Sequence, residues 1–153
     1  MGLFSKIKKK EKESWKVYQD MLGDQKLSVR VDTKYVNKNY NNTFYIQLKY
    51  SGEEVNDLPN KEFLNELAVL EERVLEMVKN TFEDNVVFLG TATFGGSSYI
   101  TFASNLDIKW NDYIKETIDT DLITGIYPND NMGYYKHVLY PDFLRYWLWN
   151  SSL

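Results

Sequence analysis

Four glutamates offer this chain its most direct route to chemistry. Glu62 and Glu66, and again Glu72 and Glu76, stand four residues apart. On a helix each pair shares a face, with about 6 Å between Cβ atoms. Carboxylates so placed can hold a divalent ion or divide the roles of general acid and general base. The apolar residues of the same segment fall on the opposite side, so these carboxylates are expected to face water and form a solvated surface. Asp119-Thr120-Asp121 and Asn129-Asp130-Asn131 are oxygen-rich, but neither continues as a twelve-residue calcium loop closed by Glu. No metal and no cofactor are expected.

The remaining catalytic alphabet is thin. There is no Cys and one His, which removes thiol chemistry and most transition-metal sites. No serine sits in a G-x-S-x-G elbow, and His137, between Lys136 and Val138, is expected to be a packed or surface imidazole. Gly95-Gly96-Ser97-Ser98 is followed by a strand-like run rather than a helix, so it suits a hairpin turn and not a phosphate cradle. These gaps point away from an enzyme and towards a protein-binding or regulatory module. The alternative is a small hydrolase or ligand-binding enzyme with a Tyr/Glu/Asp site, which requires a concave pocket holding a strongly perturbed carboxylate.

Aromatic residues are over-supplied: 12 Tyr, 8 Phe and 4 Trp make up 16% of 153 residues. Eight of these rings fall between Tyr127 and Trp149. Tyr146, Trp147, Leu148 and Trp149 are consecutive, so one helix cannot turn them all inward. Tyr and Trp are frequent binding hot spots. Tyr134, Tyr135, Tyr140, Tyr146, Trp147 and Trp149 are therefore the candidate partner-binding residues, and the partner is another protein or a second copy of the chain.

Charge narrows the partner further. The net charge is −4, yet residues 1–16 carry six Lys against Glu11 and Glu13, +4 in all, which leaves −8 for the rest. An acidic body does not suit nucleic acid, which needs a positive face on the folded domain. It suits a basic protein, as an inhibitor or an immunity-like binder. Residues 1–13 read as a basic flexible leader. Its Leu3, Phe4 and Ile7, followed by Lys8, Lys9 and Lys10, could rest weakly on an anionic membrane surface. Position 6 is Lys where the myristoylation pattern wants Ser or Thr. No apolar run is long enough to span a bilayer, and the leader has no apolar signal region. A cytoplasmic location is the expectation.

Residues 14–153 read as a single α+β domain. Trp15, Tyr18, Met21 and Leu22 recur at helical steps, predicting a short amphipathic helix closed by Gly23. Leu27-Val29-Val31 and Phe44-Ile46-Leu48 alternate as strands, with the Asn37–Asn42 stretch between them predicting a hairpin. The steps between Phe63, Leu67, Leu70, Val74 and Met77, joined by Leu64, Leu75, Val78 and Phe82, predict a helix of about 20 residues with one buried face. Val86–Phe94 and Ser97–Ser104 predict a hairpin across Gly95-Gly96, with Val87, Leu89, Ile100 and Phe102 on one face and Gly90 marking a bulge or a close approach. A second helix over 105–120, a strand over 122–127, a turn at 128–131, a strand or helical turn at 134–139 and a terminal helix from Pro141 complete the reading.

Trp15-x-x-Tyr18, Leu70-Glu71, Leu89-Gly90-x-x-Thr93 and Leu139-Tyr140-Pro141 follow one another in an order that resembles the bacterial DUF695 family, from Trp15 to about Trp147. Where that family usually carries Gly-Arg after the turn and a Trp seven residues before Leu-Tyr-Pro, this chain has Gly96-Ser97 and Met132. The resemblance implies kinship with the RraB-type inhibitors of ribonuclease E and a small regulatory binder. Periodicity and resemblance together predict an antiparallel sheet packed on one long helix, a ferredoxin-like sandwich.

Overall fold

A computed structural model describes residues 15–22, 24–34, 40–50, 58–59, 61–117 and 122–140. The elements run β1 (Trp15–Leu22), β2 (Gln25–Asp32), β3 (Asn42–Lys49), α1 (Lys61–Phe82), β4 (Val86–Phe94), β5 (Ser97–Ser104), α2 (Trp110–Thr117) and β6 (Ile123–Tyr127), followed by a tight helical turn, Tyr135–Leu139. The strands form one sheet in the order β1-β2-β4-β5-β3-β6, and every neighbouring pair is antiparallel.

α1 forms where the 4-3-4-3 apolar spacing places it. Leu67, Val74, Met77, Val78 and Phe82 are buried, and Glu62, Glu66, Glu72 and Glu76 are exposed. Leu64, expected on the apolar stripe, is instead half exposed. Among the described residues, no helix is long and apolar enough to cross a membrane.

The predicted helix over Trp15–Leu22 is a strand. Helical spacing and alternation coincide in this segment, and pairing decides between them: all eight residues of β1 lie in unbroken register with β2, from Trp15 opposite Asp32 to Leu22 opposite Gln25. Trp15 and Tyr18 therefore lie on opposite faces of the sheet, as residues of opposite parity must. The predicted hairpin between the second and third strands is also absent. β2 pairs with β1 and β4, and β3 with β5 and β6, because the tighter β4–β5 hairpin inserts between them.

That hairpin turns at Gly95 and Gly96, with φ of +57° and +84°, the left-handed backbone that a two-residue turn demands. Phe94 faces Ser97 and Thr91 faces Ile100 as expected. A bulge between Phe88 and Gly90 then shifts the register, so Phe88 rather than Leu89 lies opposite Phe102. The set Val87, Leu89, Ile100 and Phe102 is consequently split between the two faces. Ile100 and Phe102 join the helix-side core, while Leu89 and Val87 join the other.

The helix-side core gathers Phe44, Ile46, Leu48, Ile100 and Phe102 from the sheet, Phe82 and its neighbours from α1, and Trp110 and Ile114 from α2. Trp110 packs with ring centroids 5.4–5.9 Å from Phe44, Phe82 and Phe102. Much of the aromatic surplus is used here. α2 starts at Trp110 and not near Asn105, because the Ser104 hydroxyl accepts the Leu106 N–H and donates to the Asn85 carbonyl, a local turn that competes with helix. On the opposite face, Leu27, Val29, Val31, Leu89 and Ala92 are covered by Met132, Tyr135, Leu139 and Tyr140.

Candidate functional site

Beyond that second core, the sheet face turned away from the helices carries a chain of rings. Phe94, Tyr99, Tyr45 and Tyr127 stand on the successive strands β4, β5, β3 and β6, and Tyr134 enters from the turn after β6. Phe94 stacks on Tyr99 at 5.3 Å, and Tyr99 meets Tyr45 edge-on at 5.8 Å. Tyr45 lies 5.7 Å from Tyr127, which stacks on Tyr134 at 5.6 Å with planes 15° apart. All four distances between centroids, from ring to neighbouring ring, fall in the favourable range for aromatic pairs. Tyr127 keeps 43% of its surface in water, and the other four rings are half-buried.

Small residues and loop hydrogen bonds position these rings. A Cβ at Gly125 would collide with the Tyr45 ring, so glycine lets that ring lie across β6. Asp130 Oδ2 accepts the Thr43 hydroxyl and the Tyr134 N–H, each at 2.8 Å, and the Asn131 N–H donates to the Asn41 carbonyl at 3.0 Å. These bonds draw the turn back over β3 and set Tyr134 on Tyr127. Gln47 Nε2 donates to Ser97 Oγ at 2.7 Å, placing polar groups at the other end of the patch.

Burial pushes the Tyr134 phenol well above its ordinary range, with the neighbouring Tyr127 adding to the shift. Tyr127 rises too, from burial first and then from Tyr45, Asp130 and Tyr99. Both stay neutral hydroxyls at physiological pH, and the exposed Tyr127 can offer its phenol to a partner as a hydrogen-bond donor. Gly125→Ala is expected to displace the Tyr45 ring and change the near-ultraviolet circular dichroism, at a stability loss of about 1 kcal/mol or less, because the colliding atoms are the free end of a side chain. Parallel spectra and urea titrations check this.

A second cluster lies on the helix face. The Arg30 guanidinium sits 5.0 Å from the Trp15 ring and 5.7 Å from that of Phe88, and it reaches Glu71 Oε1 at 3.3 Å. It fastens the β1–β2 hairpin to α1. Burial raises the Glu71 carboxyl above its ordinary 4.5, and Arg30 counters only part of that. A carboxyl that holds its proton more tightly in the folded state adds stability below its ordinary range, and this is lost as pH rises through the raised value. Glu71→Gln lacks that dependence, so it should gain on the parent protein as pH rises above the ordinary carboxyl range. Urea titrations of both proteins along that rise are the test.

A cavity of about 580 Å³ opens between α1 and β4, lined by residues that include Tyr40, Lys79, Glu83, Asp84 and Phe88. Glu71 does not line it. The described residues contain no group of three His, Asp or Glu side chains placed to hold a metal ion.

The residues singled out from sequence are dispersed. Tyr134 joins the ring chain. Tyr135 is fully buried, donating from its phenol to the Asp32 carbonyl at 2.7 Å, and Tyr140 is buried beside it. Tyr146, Trp147, Trp149, Leu3, Phe4, Ile7, Lys8, Lys9 and Lys10 lie outside the described residues, as does the predicted terminal helix. Asn129-Asp130-Asn131 forms the turn that seats Tyr134, and His137 is exposed. Tyr45, Phe94, Tyr99 and Tyr127 were not among the candidates. In the sequence Tyr127 opens the run of eight rings, and Tyr45 and Tyr99 are large rings on the otherwise polar sides of their strands.

No curated protein and no solved structure matches this chain. The family described as "Family of unknown function (DUF695)" matches residues 13–136, which spans β1 to the start of the turn that covers the second core. The chain belongs to the DUF695 family.

Proposed function

We propose that this protein is a non-enzymatic protein-binding module that engages its partner with the ring-bearing face of the sheet. The observation that carries this reading is the unbroken chain of five rings, half-buried to exposed, across four strands. Tyrosines of this kind supply rigid contact area with a polar tip, and they dominate many interfaces. The acidic side chains speak for a basic partner, since Glu62, Glu66, Glu72 and Glu76 are all in water. That pairing supports an inhibitor-like or immunity-like role, for which the proposed location is the cytoplasm. The separation of Glu71 from the cavity favours binding over hydrolysis.

The fold proposed for the module is a ferredoxin-like sandwich with the β1–β2 hairpin added at one edge. Its support is the order β3-α1-β4-β5-α2-β6, with strands arranged β4-β5-β3-β6. β3 and β4 run parallel with β5 between them, and β5 and β6 run parallel with β3 between them, which is the split β-α-β pattern. Both helices pack on one face, leaving the other for recognition.

Capture from a lysate on the full chain, beside a Tyr99→Ser/Tyr127→Ser variant, tests the role. A basic protein retained by the parent and lost by the variant is the expected result, and equal retention would end this reading. Association should slow as salt is raised, because opposite charges steer the encounter.

A further inference from the structure

We propose that the chain also dimerises, through β1, which pairs antiparallel with β1 of a second copy about a two-fold axis at Gln19. This surface is the sheet's edge and not its ring-bearing face, so the inference does not depend on the reading above. Among the described residues, β1 is the outermost strand of the sheet, eight residues long, with no proline and an unbroken register against β2. Native edge strands are commonly short, bulged or covered, because an unpaired row of N–H and C=O groups invites another strand. β6, at the other edge, has only five residues.

Val17 and Met21 are 70% and 56% exposed, both on the helix side of the strand and beyond the reach of α1. The Met21 N–H donates to Oδ1 of the preceding residue, Asp20, at 2.8 Å, so it points out of the edge and not into the β2 ladder. Residues two and four before it, Gln19 and Val17, direct their backbone groups the same way.

A two-fold axis at Gln19 matches each of these features. Val17 comes opposite the partner's Met21, and Met21 opposite the partner's Val17, so four exposed apolar side chains cover one another. These are hydrogen-bonded positions, and the partner's Val17 carbonyl takes the Met21 N–H. Asp20, released from that N–H, comes opposite the partner's Tyr18 on the other face of the sheet, with the partner's Lys16 at the attractive diagonal and the partner's Asp20 at the other. Each of the two charges thus has an opposite charge at one diagonal in the self-pair. The result is one continuous sheet of twelve strands from the two six-stranded sheets.

The absence of native cysteine makes the register testable. Residues at a hydrogen-bonded antiparallel pair have Cα atoms about 5.5 Å apart, within disulfide range. Under oxidation Gln19→Cys should therefore link two full chains. Lys16→Cys should not, because its two copies are six residues out of register, roughly 20 Å. A charge exchange provides the second arm. Val17→Glu/Met21→Glu sets the new carboxylates beside Arg30 and Lys26 within the chain, so folding is preserved, but like charges then oppose each other across the axis. Sedimentation should show this variant as a monomer, and Val17→Glu/Met21→Lys should restore the dimer of the parent protein. A parent chain that sediments as a monomer up to roughly 100 μM would overturn the proposal. So would linkage as efficient through Lys16→Cys as through Gln19→Cys.

Discussion

Gly90→Ala is expected to cost about 3–5 kcal/mol of folding stability and to loosen the β1–β2 hairpin from the sheet. Gly90 has φ +152°, a backbone conformation that L side chains rarely adopt. A Cβ there would strike the Arg30 carbonyl oxygen and come within 3.0 Å of the Val31 Cα. Both obstacles are backbone, so no rotamer change relieves them. Gly90 also ends the β4 bulge while facing Val31 on β2 and Thr101 on β5. Urea unfolding measures the loss, and hydrogen exchange should show amides of β1 and β2 losing protection before those of β5. A loss below about 1 kcal/mol would mean that the bulge moves aside freely.

Tyr135→Ala is expected to lose a comparable amount, about 3–5 kcal/mol. The ring is completely buried and joins Val29, Val31 and Leu89 in the second core, with Tyr140 edge-on at 5.8 Å. Its phenol bridges the turn to the end of β2 through the Asp32 carbonyl. Tyr135→Phe keeps the packing but removes that donor from a buried carbonyl, for about 1–3 kcal/mol. Thermal or urea unfolding of the two variants separates packing from hydrogen bonding. Equal losses would place the whole contribution in the bridge.

The parts of this fold that sequence declares are those whose signal is local. The apolar stripe from Phe63 to Phe82 repeats one period along the whole of α1, and no competing pattern fits it. Gly95-Gly96 marks its hairpin because few other pairs accept two left-handed residues. Trp15 to Leu22 fits both periods, and only the β2 partner selects the strand. Leu89 changes sides because a bulge inserts one residue, which alternation cannot show. The ring-bearing face is less legible still. Tyr45 and Tyr99 are distant in sequence and meet only because β3 lies beside β5, and the Tyr45 ring needs the bare backbone of Gly125 on β6. The high aromatic content was visible from the start, but its division between the Trp110 core and an open face depends on pairing between distant strands.

Burial of Tyr135 and Tyr140 also shifts the weight of recognition away from the tyrosine-rich turn and onto the strands. Tyr134 connects the two, because Asp130 holds it where it extends the chain of rings. The function proposed for this chain therefore depends on residues that belong to four strands, each placed by its neighbours.

The most direct test is the dissociation constant of a captured partner for the parent chain and for Tyr99→Ser/Tyr127→Ser, with Glu72→Gln/Glu76→Gln as the comparison. Loss of a hot-spot ring weakens binding by roughly 30-fold or more. The account predicts at least that loss for the ring variant, at unchanged fold by circular dichroism, and only a slower, less salt-sensitive association for the glutamate variant. Unchanged affinity in the ring variant would contradict it.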